Sequence, residues 1–227
     1  GAERAGRIGG DSGAAVPVHR ADGHGPAERS GLRAGEKISV RNVLLALVTK
    51  SANDAAVVMA EAIGGQEIKF AQLMTKKARQ LGMSRTSFRN ASGLPNRGQV
   101  STARDMAILS AAMIRDFPKF YQLFATPEFT YQGATYRNHN RLLRYYEGTD
   151  GIKTGYIRAS GFNLVASAVR DGRRVIAVVF GGKSPSARDR QIARLMDTAF
   201  TQMASAGVDK VPTPPIAKPA FASPELV

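Results

Sequence analysis

A chain of 227 residues with 43% hydrophobic side chains can bury a core as one large domain or two small ones. Its formal charge of +14 is spread along the chain with no basic run of five and only 7% aromatics, which argues against a nucleic-acid partner and for a surface suited to an anionic envelope polymer or lipid head group. The absence of cysteine excludes disulfides, thiolate nucleophiles and cysteine-held zinc, and the longest apolar runs, 43–48, 55–60 and 175–180, fall far short of the ~20 residues of a membrane span.

Residues 1–38 are rich in Gly, Ala and Arg, with 16–18 as a short extended piece and Gly35-Glu36 as a turn before Ile38. Ser39 is positioned to cap a helix in which Val40, Val43, Leu44, Leu47 and Val48 recur at helical spacing. A second helix starts near Asn53 and stops at Gly64-Gly65, and a third covers 66–81 with Gly82 just beyond its end. The stretch 88–100 holds Gly93, Pro95 and Gly98 and must be loop. Ser101 or Thr102 caps the next helix, Asp105 stands where a capping box places its acid, and Met106, Leu109, Met113 and Ile114 supply the apolar face. Pro118 opens a short helix containing Phe120, Tyr121 and Phe124.

The period then changes. Residues 129–131 and 135–137 flank Gly133 as a small hairpin, and 162–170 and 173–180 form a longer one across Asp171-Gly172. Both long strands are apolar on both faces, which predicts a sheet interior covered on two sides. An amphipathic helix over 186–204 closes the globule with Ile192, Leu195, Met196 and Ala199 inward. Residues 208–227 hold five of the eleven prolines and read as a Pro-rich tail or linker. The expected fold class is α+β: an antiparallel β-sheet flanked by helices, closing over about 150–207, with a mostly helical subdomain over about 39–146, all within one domain over 1–207.

Two short motifs carry chemistry. Ser51-Ala52-Asn53 precedes an apolar helix, so its structural reading is an N-cap. Its functional reading places the Ser51 hydroxyl in a cleft as a proton relay, with Asn53 bonding a substrate amide. Lys153-Thr154-Gly155 precedes the long hairpin, and its structural reading is a strand start with a solvated lysine. In the functional reading Lys153 and Thr154 hold a carboxylate, and Gly155 lets a substrate backbone lie along the strand. His19, His24 and His139 are too dispersed for a metal site, and no cofactor is expected.

The pairing of Ser-x-Asn at a helix start with Lys-Thr-Gly at a hairpin start is more specific than either motif. Together with 44–56 (LLALVTKSANDAA), Gly93-Leu94-Pro95, 101–109 (STARDMAIL) and 138–168 (NHNRLL, DGIKTGY, GFNLVASA), it resembles the low-molecular-mass penicillin-binding proteins of the β-lactamase/transpeptidase-like superfamily, which are serine-type D-alanyl-D-alanine carboxypeptidases. The resemblance implies an acyl-enzyme hydrolysis of peptidoglycan stem peptides on the periplasmic or extracytoplasmic side of a bacterial envelope, with β-lactams as inhibitors. It implies catalytic roles for Ser51 and Asn53. It also implies substrate-binding roles for Lys153, Thr154, Gly155 and Tyr156, the last through its backbone N–H at the oxyanion. No glutamate falls between Glu67 and Glu128, so the deacylating glutamate of class A β-lactamases is missing and efficient β-lactam hydrolysis is not expected.

The nucleophile motif Ser-x-x-Lys is also missing from all 227 residues. Its nearest imitation, Ser30-Gly-Leu-Arg33, ends in an arginine that cannot act as a base. The expectation is an N-terminally truncated member, inactive by itself, whose nucleophile segment belongs before Gly1. The competing expectation is a shortened, non-catalytic peptidoglycan-binding remnant, and a basic nucleic-acid binder stands third. Without further strands 175–180 would form an exposed apolar edge, which favours the truncated reading.

Overall fold

The computed structural model describes residues 14–19 and 31–207. His24, Ser30 and the Pro-rich stretch 208–227 therefore lie outside the described residues. The elements in chain order are β1 (Ala15–Pro17), β2 (Lys37–Ser39), α1 (Val40–Thr49), α2 (Asn53–Gly64), α3 (Glu67–Gln80), α4 (Ala103–Asp116), α5 (Pro118–Tyr121) with a 3-10 turn (Gln122–Ala125), β3 (Glu128–Tyr131), β4 (Ala134–Arg137), α6 (Leu142–Tyr145), β5 (Thr149–Ile157), β6 (Gly161–Arg170), β7 (Arg173–Gly182) and α7 (Pro185–Ser205).

Local chemistry explains most of these boundaries. Ser39 caps α1 by accepting from the Asn42 amide at 3.2 Å, and Thr102 caps α4 by accepting from the Asp105 amide at 3.1 Å. Gly82, at φ +84°, follows the last turn of α3. Both hairpins turn through two successive positive-φ residues, Gln132-Gly133 and Asp171-Gly172, the backbone twist that right-handed strands prefer. Asp105 does not complete a capping box. Its carboxylate turns inward and accepts from the Thr86 hydroxyl at 2.6 Å and the Arg85 amide at 2.9 Å, pinning the preceding loop to α4.

Three apolar clusters form the core. One joins β1, β2, α1 and α2 through Val16, Ile38, Val43, Leu45, Val58 and Met59, with Phe129 of β3 closing it. The second lies between the sheet and α7, where Leu164, Ala166, Val175 and Ala177 meet Ile192 and Met196. The third covers the opposite sheet face, where Ile152 and Val165 meet the fully buried Tyr121 with Met106, Met113 and Ile114 of α4 around them. Leu195, expected inward, is instead 41% exposed, because the sheet reaches only the narrow stripe of α7 centred on Ile192 and Met196.

The main sheet is antiparallel in the order β5-β6-β7. In β6 every residue from Leu164 to Val169 is buried, as a strand covered on both faces requires. β7 shares the covered faces but pairs only with β6 among the described residues, so it stands at an edge, and Phe180 at its end is exposed.

Candidate active site

Ser51 is the middle residue of the link Lys50-Ser51-Ala52 between α1 and α2. Its φ of +62° is left-handed, a conformation that costs a non-glycine residue roughly 1–2 kcal/mol. Such strain persists only where surrounding structure enforces it. Ser51 is not an N-cap. The cap position of α2 belongs to Ala52, which makes no side-chain cap bond. The Ser51 hydroxyl instead accepts a hydrogen bond from the Lys153 ammonium at 2.5 Å, across 102 positions of sequence. Lys153 also donates to the Thr154 carbonyl at 2.9 Å, and both Ser51 and Lys153 are half-buried.

Each partner is held by its own element. On the helical side, buried Asp54 in the first turn of α2 accepts from the Gly31 amide at 3.2 Å and the Leu32 amide at 3.4 Å, tying the loop before β2 to the helix start. Asn53 is buried in the same turn. On the sheet side, β5 is buried from Thr149 to Ile152, half-buried at Lys153 and Thr154, and exposed at Gly155 and Tyr156. The Lys-Thr-Gly run thus marks where the strand leaves the core for solvent. Gly155 pairs with Asn163, whose side chain bonds Ser160, Gly161 and Gly181, clamping the open end of the sheet. The ring of Tyr156 packs on Phe162 with centroids 4.4 Å apart.

Gly151 fits because a methyl group there would sit 2.7 Å from the Tyr121 hydroxyl. Beneath it lies a buried polar network. Asp150 accepts from the Tyr121 hydroxyl at 3.0 Å and from Arg174 at 2.9 Å, while Arg174 also donates to Ser167 at 2.6 Å. Burial and the Asp150 carboxylate push the Tyr121 phenol far above the usual tyrosine range. Neither Asp150 nor Arg174 was singled out by the sequence motifs. The only cue was a charge placed in otherwise apolar strands.

Of the six residues named from the motifs, the direct contact joins Ser51 to Lys153. Asn53 flanks the first, and Thr154, Gly155 and Tyr156 follow the second along one strand. Among the described residues no group of three or more His, Cys, Asp or Glu could hold a metal, and no helix is long and apolar enough to cross a membrane.

Residues 18–184 match the family model described as D-alanyl-D-alanine carboxypeptidase. The chain belongs to that family. D-alanyl-D-alanine carboxypeptidase DacF of Bacillus subtilis is 39% identical over 176 residues, covering 75% of this chain and 45% of the relative. The crystal structure of penicillin binding protein 5 from Haemophilus influenzae superposes with a TM-score of 0.82 at 32% identity, over 88% of this chain and 59% of that one. Penicillin-binding protein D2 from Listeria monocytogenes, in a cefotaxime-bound form, superposes at 0.76 with 31% identity, over 88% and 81%. The chain therefore shares the α+β fold of the family's penicillin-binding proteins while spanning about half the length of the curated relatives it matches.

Proposed function

We propose that this chain supplies the proton-relay and carboxylate-recognising side of a serine D-alanyl-D-alanine carboxypeptidase site that trims peptidoglycan stem peptides outside the cytoplasm. The observation that carries the reading is the 2.5 Å contact between the Ser51 hydroxyl and the Lys153 ammonium. A hydroxyl has one donor and two acceptor positions. With Lys153 filling an acceptor position, the Ser51 O–H stays available to donate toward the nitrogen of a departing D-alanine, and Lys153 can replace the proton. The same ammonium, with the Thr154 hydroxyl, attracts the terminal carboxylate. The edge of β5 away from β6 carries no strand among the described residues, and a methyl group placed on Gly155 would meet only the Asn163 side chain, at 3.9 Å. An extended peptide can therefore add to that edge, with the Tyr156 N–H directed at the developing oxyanion and Asn53 on the peptide's amide. β-Lactams would acylate the complete site as substrate mimics.

The 227 residues contain no Ser-x-x-Lys, so this chain alone is expected to recognise and not to cut. Two measurements test the reading. Titration with an N-acylated D-alanyl-D-alanine dipeptide, followed by the backbone amide signals of 153–156, should show saturable binding. Lys153→Met should weaken it by about tenfold or more, the worth of one hydrogen bond to a charged group. Unchanged affinity in that variant refutes the assignment. Intact mass after incubation with benzylpenicillin should show no adduct, and a gain of one β-lactam mass overturns the inactivity of the isolated chain.

A further inference from the structure

The loop between β4 and α6 does something that neither motif accounts for. Four consecutive residues, Asn138 to Arg141, each bond a different element. The Asn138 amide side chain donates to the Thr126 carbonyl at 2.9 Å, beyond the 3-10 turn. The His139 backbone N–H donates to the Thr49 carbonyl at 3.4 Å, at the end of α1. The Asn140 side chain donates to the Gly151 carbonyl at 3.0 Å, in β5. Arg141 pairs with Asp189 of α7 at 3.1 Å. Asn140 is 1% exposed, and its own backbone N–H is held by the Asn138 side-chain oxygen at 2.9 Å.

The arrangement is symmetric about the reacting pair. Thr49 stands two residues before Ser51, and Gly151 stands two residues before Lys153. Two adjacent residues, His139 through its backbone N–H and Asn140 through its side-chain amide, bond both stretches of backbone that lead into the contact. β5 pairs with β6 in regular register from Gly151 to Ile157, and the ladder is irregular only between Thr149 and Gly151, so Gly151 is the first residue of the regular run that carries Lys153. The Asn140 amide ties the start of that run to the helical side, a link the ladder to β6 does not itself make.

The geometry points to Asn140 as a positioning residue that sets the distance between Lys153 and Ser51, through the Gly151 carbonyl on one side and the adjoining His139–Thr49 bond on the other. Asn140 acts on the site through backbone and not by touching substrate. The inference depends on the Ser51–Lys153 contact and is independent of which ligand the site takes.

The test reads Lys153 directly in the full chain. Acetylation by N-hydroxysuccinimidyl acetate, with peptide mass mapping, reports how firmly the ammonium is held. Ser51→Ala removes the acceptor and should raise the Lys153 labelling rate on the order of tenfold, as loss of a charge-assisted hydrogen bond implies. Asn140→Ala should raise it about threefold or more, and the double variant should rise no further than Ser51→Ala alone, because both changes break one contact. Arg141→Met, which loosens the same loop from α7, is the control and should leave Lys153 labelling at the wild-type rate. Where Asn140→Ala fails to fold, Asn140→Ser serves, since its hydroxyl is too short to reach Gly151. Equal labelling in the Asn140 and Arg141 variants overturns the inference, as does an additive rise in the double variant or an unchanged rate in Ser51→Ala. Dipeptide titration of the same variants separates this from the assigned ligand: a lost Lys153–Ser51 contact with intact dipeptide binding, or the converse, refutes one reading and leaves the other standing.

Discussion

Arg174→Met is the most informative single change outside the motifs. The guanidinium of Arg174 meets Asp150 at 2.8 Å, and the two side chains are only 11% and 4% exposed. It also donates to Ser167 and stacks over the Tyr121 ring at 5.6 Å. Methionine keeps much of the length and apolar contact and deletes the charge. Asp150 is then left in the core with Tyr121 as its remaining side-chain donor. Counting lost hydrogen bonds alone gives about 1 kcal/mol each. Stranding a buried charge costs more, about 3–5 kcal/mol, a large share of the ~5–15 kcal/mol that holds a typical domain. For a chain of this size that is a fall in Tm of roughly 6–20 °C. Urea unfolding followed by circular dichroism measures it, and adding Asp150→Asn should recover part of the loss by removing the orphaned charge. A loss below about 1 kcal/mol, or a double variant worse than the single one, shows that the network is solvated and the reasoning wrong.

Gly148→Ala should lose about 2–6 kcal/mol or fail to fold, combining left-handed strain at φ +76° with a methyl group 2.1 Å from the Val169 carbonyl oxygen. Gly133→Ala, at φ +77° with open space around it, should lose only about 1–2 kcal/mol, and urea midpoints compare the two. Hydrogen bonds from Thr86, then from Arg85 and Thr102, hold the Asp105 carboxyl below its usual range. A depressed carboxyl stabilises the fold at pH above its unfolded value of about 3.9 and loses that contribution as pH falls through the folded value. Asp105→Asn should therefore flatten the dependence of stability on pH below about 4, measured by urea unfolding at successive acid pH values. An acid limb identical to wild type refutes the assignment.

Much of this architecture could be read from local sequence because the signals are local. Ser39 and Thr102 cap their helices with their own side chains, and Asp171-Gly172 specifies its hairpin without outside help. The Ser51–Lys153 contact was legible only as two motifs, since nothing at Ser51 announces its left-handed backbone or its rejection of the cap position. Asp105 looked like a capping acid because the spacing is right. Its real partners, Thr86 and Arg85, lie about twenty residues upstream, where periodicity carries no information. The junction from Asn138 to Arg141 and the pair Asp150–Arg174 were invisible for the same reason. Their bonds reach across the fold, and only packing decides which polar groups meet. Leu195 was misplaced because helical spacing gives the direction of an apolar stripe and not the width of the surface that covers it.

The 102-residue gap between Ser51 and Lys153 has an energetic corollary. Holding the ends of a loop that long together costs about 4 kcal/mol by the logarithmic closure law, before any constant is added. A charge-assisted hydrogen bond returns about 1.5–3 kcal/mol. The pair cannot secure its own meeting. It rides on the three apolar clusters and the cross-links around it, so a modest loosening far from the motifs can part Ser51 from Lys153 while circular dichroism still reports native helices and strands.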